Sequence, residues 1–234
     1  METMRQVESP EGLLSIWPSL TPKEQSSLLH LLQGVSDPLY WMQHCTKTKD
    51  EQDVLNPYKP FPNRPYFKDL HEAWEKEAVL FIEKSRTLLC TWWGAAECLH
   101  LAMRRPATRV LLMAQDEDRS LVPLDYCWTL WEQQDAPFRQ IWPLDRPREK
   151  QCYNVMELKN ESSIMALPGK EPSKIRGFHP TVIFMDETAS MDSFGEAFDI
   201  AVATRVPKIV CVSSADISEY ENLIKTAEPV DWYA

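Results

Sequence analysis

The chain has 234 residues, 44% of them hydrophobic and 26% charged, with a formal net charge of −10. That length suits one α/β domain with an extension, or two small domains, and the apolar content is enough for a sizeable core. An acidic surface excludes general attraction to nucleic acid, so any DNA contact needs a local basic patch or another domain.

Six cysteines with no CxxC pair read as free thiols. The N-terminus has no basic stretch leading into an apolar core, and no apolar run reaches membrane-spanning length. A cytoplasmic protein that makes no membrane contact is expected.

Residues 1–55 read as a helical extension. Thr21-Pro22-Lys23-Glu24 has the form of a capping box with proline at the first helical position, and a leucine stripe follows to Gly34. A second short helix is expected after Asp37-Pro38. Residues 56–65 hold four prolines and read as an extended connector.

From residue 66 the pattern alternates. A helix is expected over 66–76, a strand over 78–82, a helix over 91–105 and a strand over Arg109–Ala114. A helix from Asp116 follows, with Pro123 placed to interrupt it. Residues 134–150 read as an exposed loop. Tyr153–Leu158 and Ser163–Leu167 suggest a hairpin around Asn160-Glu161. A strand over 181–185, a helix over 192–204, a strand over Lys208–Val212 and a helix from about 217 complete the chain. Strands alternating with helices predict an α/β fold around a mainly parallel sheet with covered faces.

The stretch most informative about chemistry is Val182-Ile-Phe-Met-Asp-Glu187. A short continuous apolar run reads as a buried parallel strand, and ligands of such sheets bind beyond the strands' carboxyl ends. Two adjacent acids there suit a Walker B site, one carboxylate holding a water-ligated Mg²⁺ and the other polarising a water. A plain acidic helix cap explains the same residues.

A phosphate cradle would have to open a helix at the end of another strand. Lys84-Ser85-Arg86-Thr87-Leu88-Leu89-Cys90-Thr91 occupies that position. Lys84 and Arg86 supply positive charge, and Thr91 offers a hydroxyl to Mg²⁺. The loop departs from G-x-x-x-x-G-K-[ST], with Leu89 at the second glycine and Cys90 at the lysine. A simple strand-to-helix connection bearing surface cations is the alternative.

Together these segments resemble the P-loop ATPase domain of a tailed-phage or prophage large terminase, the DNA-packaging motor. The motifs run in order: Arg64-Pro65-Tyr66-Phe67, Phe81–Arg86 entering the deviant loop, Val110–Gln115, Ile164–Pro168, Arg176-Gly177 ahead of Val182–Glu187, and Cys211–Ala215. The resemblance spans roughly residues 56–216 and implies an ASCE-type ATPase domain over 56–234, without the nuclease domain of a full large terminase. It implies ATP and Mg²⁺ as ligands, with Lys84 and Arg86 on phosphate, Thr91 and Asp186 on Mg²⁺, and Glu187 on the attacking water. Ser213 or Ser214 would sense the γ-phosphate, and Arg176 would act on a neighbouring subunit. The partners implied are double-stranded DNA, a homo-oligomeric ring, the portal protein and the small terminase subunit, in the cytoplasm of a bacterial host. Two other readings compete: a weakly hydrolysing assembly module with an NTPase fold, and a helicase domain of superfamily 2 type.

Among the remaining residues, Trp92 and Trp93 read as packing residues and Arg104-Arg105 as a solvated helix end. Asp116–Asp118 read as N-terminal helix acids. His44-Cys45 lack a second ligand pair at metal spacing.

Overall fold

A computed structural model describes residues 17–85 and 88–214. In α1 (Pro22–Ser36) the capping box forms: Glu24 receives the Thr21 N–H at 2.8 Å, and Thr21 Oγ1 accepts the Glu24 N–H at 3.3 Å. Asp37 then caps α2 (Pro38–His44), its carboxylate accepting the Leu39 and Tyr40 N–H groups.

The proline-rich segment that follows is more than a connector. Its Tyr58–Pro60 (β2) pairs antiparallel with Lys47–Lys49 (β1). Three-residue strands are too short to show alternation in sequence, which is why the pairing was not legible.

The helices of the N-terminal extension share the main core. Trp41 is fully buried and donates its indole N–H to Gln134 Oε1 at 3.2 Å, and His100 Nε2 donates to Gly34 O at 3.0 Å.

The alternating elements follow as α3 (Tyr66–Lys76), β3 (Val79–Lys84), α4 (Cys90–Arg104), β4 (Arg109–Ala114) and α5 (Glu117–Gln133). Then come α6 (Ala136–Ile141), β5 (Val155–Glu157), β6 (Ser163–Pro168), α7 (Lys174–Phe178), β7 (Val182–Asp186), α8 (Phe194–Ala203) and β8 (Lys208–Ser214). The helix expected from about 217 lies outside the described residues.

Two expectations need correction. Pro123 lies inside α5 without breaking it. An interior proline costs a helix ~3 kcal/mol, and burial of Leu124, Cys127, Trp128 and Leu130 along the same helix outweighs that. Residues 134–150 are not simply an exposed loop, because α6 buries Phe138 completely and Trp142 is 7% exposed. Proline and charge mask these two aromatic anchors in the sequence.

The sheet has six strands in the order β3-β8-β7-β4-β6-β5, all parallel except β5. Its side chains alternate between faces as strand geometry requires. Val110, Leu112, Phe184, Val210 and Val212 face the larger core, which includes residues of α2, α3, α4 and α5. Leu111, Met113, Ile183, Met185 and Cys211 face the smaller core under α7 and α8. Trp93 is fully buried and Trp92 stacks on Tyr126 at 3.8 Å, so both tryptophans pack as expected. Among the described residues, no helix is long and apolar enough to cross a membrane.

Candidate functional site

Parallel pairing brings the carboxyl ends of β3, β8 and β7 to one edge. Lys84 is in register with Ser214, and Asp186 with Val212. Helix α4 begins beside them at Cys90. Gly94 allows this helix to lie close to the sheet, since a Cβ there would sit 2.0 Å from Phe184 Cε2.

Four sequence-predicted residues meet as two contacts. Lys84 Nζ donates to Glu187 Oε1 at 2.6 Å, and Thr91 Oγ1 donates to Asp186 Oδ2 at 2.9 Å. Ser214 adds a third, giving its N–H and hydroxyl to Glu187 Oε2 at 3.4 and 3.2 Å. Glu187 itself has φ 47°, in the left-handed region that an L-residue adopts only at a cost. That turn takes it out of the strand and beside Lys84.

The two acids differ electrostatically. Burial pushes the Asp186 carboxyl up to about 6, against a smaller downward pull from Thr91. Its Oδ1 is buried and has no hydrogen-bond partner among the described residues. Burial also acts to raise the Glu187 carboxyl, but the contacts from Lys84 and Ser214 together outweigh it and hold the group below the ordinary carboxylate range. Cys90 is 3% exposed, and burial raises its thiol to about 11, so it stays neutral where the usual loop has a cation.

The loop carries its own strain. Leu89 precedes α4 with φ 55° and ψ 23°, so this leucine adopts the left-handed conformation that glycine favours at such a turn. Among the described residues no side-chain cap bonds the helix start, so its first N–H groups have no capping acceptor there. Tyr66 Oη donates to Leu88 O at 2.9 Å and ties the loop to α3. Tyr66 was legible as part of an aromatic motif, but its anchoring role was not, because contact across 22 positions leaves no local pattern. Ser85 is exposed, Leu88 and Leu89 are half-buried, and Arg86 and Thr87 lie outside the described residues.

Other predicted residues stand apart. Ser213 is fully buried, and its hydroxyl accepts the Ala189 N–H at 3.0 Å, so it braces the turn after Glu187 while Ser214 touches the carboxylate. Arg176 is exposed on α7 over a surface depression lined by Glu196 and Asp199 of α8. It makes no ion pair among the described residues. Gly177, next to it on α7, makes no sharp turn. It is helical, and the left-handed residue is His179 at φ 50°.

The donor set fits a hydrated Mg²⁺. Such an ion needs few protein ligands and keeps several waters, and Asp186 Oδ1 with Thr91 Oγ1 offers one carboxylate and one hydroxyl oxygen.

The sequence matches no protein-family model and no curated protein. The structure, by contrast, is similar to solved ones. It matches the large terminase ATPase domain of Thermus phage P74-26 with a TM-score of 0.51 and 12% identity, over 69% of this chain and 68% of that one. A substitution variant of that domain matches at 0.50 and 13% identity, over 72% of each chain. The large terminase of bacteriophage HK97 matches at 0.58 and 13% identity, over 76% of this chain and 37% of that one. At such identities the likeness is one of architecture: this chain has the fold of a phage large terminase ATPase domain, a P-loop fold built on a central, mostly parallel sheet.

Proposed function

We propose that the chain is the ATPase domain of a viral DNA-packaging motor, coupling Mg-ATP hydrolysis to movement of double-stranded DNA into a procapsid. The observation that carries this reading is the meeting of Lys84, Thr91, Asp186 and Glu187 at one sheet edge, on the fold of terminase ATPase domains.

In this reading the N–H groups at the start of α4 and the Lys84 ammonium hold phosphate. Asp186 and Thr91 hold Mg²⁺, which when bound neutralises phosphate charge. Glu187 orients the attacking water. It can do so only after leaving Lys84, because a carboxylate held by an ammonium at 2.6 Å is a poor proton acceptor. Ser214 keeps its hold on the other carboxylate oxygen and so links β8 to the catalytic group. Arg176 acts on the site of an adjacent subunit in a ring. Portal protein and small subunit are the further partners, and the host cytoplasm is the setting.

A second reading has its own support. With neutral Cys90 at the usual lysine position and Lys84 paired to Glu187, the domain could serve assembly and hydrolyse weakly.

Titrating ATP with and without Mg²⁺ against the parent and Glu187→Gln separates the two. The motor reading expects binding retained and turnover reduced ~10²-fold or more in the variant. Parent-level hydrolysis by Glu187→Gln, or no nucleotide binding by either protein, would overturn it.

A further inference from the structure

The edge of the sheet opposite the candidate site is basic. Because β3, β8, β7, β4 and β6 are parallel, their amino ends lie together. Arg205 stands in the turn leading to β8, Arg104 and Arg105 close α4, Arg109 opens β4, and Lys159 lies in the β5–β6 connection. All five are exposed, and none pairs with a carboxylate among the described residues. The cluster is knit from below: Ser162 Oγ donates to Arg105 O at 3.0 Å, Ala107 N–H to Asn160 O at 3.0 Å, and Arg109 Nη1 to Phe178 O at 3.3 Å.

Some opposing charge is present. Glu161 is exposed beside Lys159, and Glu77 is half-buried and pairs with Lys76 at 3.1 Å. Lys208 contributes nothing outward, since its ammonium turns inward onto Trp74 O and Glu77 O. The balance along the edge remains positive in a chain whose net charge is −10.

We infer that this amino-terminal sheet edge, through Arg105, Arg109, Lys159 and Arg205, is a docking surface for the phosphate backbone of duplex DNA. Strands lie about 4.8 Å apart, so the three steps from β8 to β6 span roughly 15 Å. A duplex presents one charge per ~1.7 Å of axis, or about eight or nine over that length. Several cations can therefore each meet a phosphate at once.

The patch offers little of what anchors a protein partner. Interfaces between proteins are anchored by aromatic or aliphatic side chains. No large exposed apolar residue falls in 104–109, 159–161 or 179–181, and those at the same edge near Arg205 and at the start of β3 are two valines, Val202 and Val79, with no exposed aromatic beside them. A row of guanidinium and ammonium groups without aromatic anchors has the composition of a protein–DNA surface. It is also the local basic patch that the acidic composition requires for any DNA contact. The charge placement stands independently of the nucleotide site. Only the choice of duplex DNA as the polyanion rests on the proposed packaging function.

The test uses the full chain and a fluorescein-labelled 30-base-pair duplex, with anisotropy read across a salt series. The triple variant Arg105→Gln/Lys159→Gln/Arg205→Gln removes three cations and spares Arg109 and Arg104, which bond to backbone. A control replaces Lys23, Lys49 and Lys170, exposed elsewhere, and changes net charge equally.

Weak binding by the parent at low salt is expected. In the triple variant the slope of log K against log salt should shrink by ~2–3, about 0.9 per lost phosphate contact, and affinity should fall roughly tenfold or more. The control should stay near the parent. Equal losses in both variants, an unchanged slope, or no parent binding at low salt would each overturn the inference. So would light scattering that shows the edge triple abolishing self-association while DNA binding persists, since the edge would then bind protein. ATP binding, measured in parallel, should be the same in all three proteins. Its absence throughout would strike the nucleotide reading alone.

Discussion

At the residue scale, the proposed ATPase chemistry turns on which cation would face phosphate. Lys84 ends β3 with its side chain 9% exposed and already beside a carboxylate, whereas Cys90 is a buried neutral thiol. Lys84→Ala should therefore weaken ATP binding more than Cys90→Ala does. Calorimetric titration of both variants checks this, and parental affinity for Lys84→Ala would remove that lysine from the site.

Asp186 gives a prediction in pH. Its carboxyl titrates at about 6 in the fold, above its ordinary 3.8. A raised carboxyl holds its proton to higher pH in the folded state than in the unfolded one. Its favourable contribution is therefore complete below the unfolded value and lost as pH rises through about 6. Asp186→Asn should stabilise the protein at pH 8 by of order 1–3 kcal/mol and by much less at pH 4. The same variant should lose any Mg²⁺-dependent gain in Tm. Thermal melts at both pH values decide it: an equal Tm difference at the two would show that ionising Asp186 carries no penalty. The acid pair itself was legible because a continuous apolar run ends in it. The contrast between the two acids was not, because it depends on Lys84, 103 positions away from Glu187.

At the element scale, the alternation of periodicities made most of the sheet readable, since buried parallel strands such as Val110–Ala114 are continuous apolar runs. What escaped was set by contacts distant in sequence: the β1–β2 pairing, the burial of Phe138 against Gly34, and the helical state of residues around Gly177. In the Phe138 case the tight fit is visible only in three dimensions, where a Cβ on Gly34 would meet Phe138 Cζ at 2.5 Å.

Gly94 presents the same physics at the candidate site. Alanine has the higher helix propensity, by ~1 kcal/mol, yet its Cβ would lie 2.0 Å from Phe184 Cε2. Overpacking of this kind costs ~1–3 kcal/mol. Gly94→Ala is expected to lower stability overall and to weaken nucleotide binding by lifting the start of α4 from the sheet edge. Phe184→Leu should recover part of the loss in the double variant, because the two substitutions act on one contact. Urea denaturation of the four proteins measures the coupling. Strict additivity would show that the clash is relieved elsewhere.

At the scale of the whole molecule, the proposed ATPase would need more than the described residues of one chain for fast turnover. Its described cation, Lys84, is paired with the carboxylate proposed to orient water, and Arg176 is exposed on α7 facing the acids of α8. A surface arginine in an acidic depression is one reading of this placement. The reading favoured by the proposed ring is that Arg176 reaches phosphate held by a neighbouring subunit. Arginine fingers of this sort are worth ~10³-fold or more in turnover. Activity per subunit should then rise with protein concentration, and the dilute monomer should be a poor ATPase. Arg176→Ala and Glu187→Gln subunits should each be inactive alone. Mixed under conditions where assembly is confirmed by light scattering, they should regain part of the parental rate, because some interfaces then pair an intact Glu187 with an intact Arg176. No recovery on mixing, with assembly established, would exclude a role for Arg176 across the interface and leave it as a solvated surface cation.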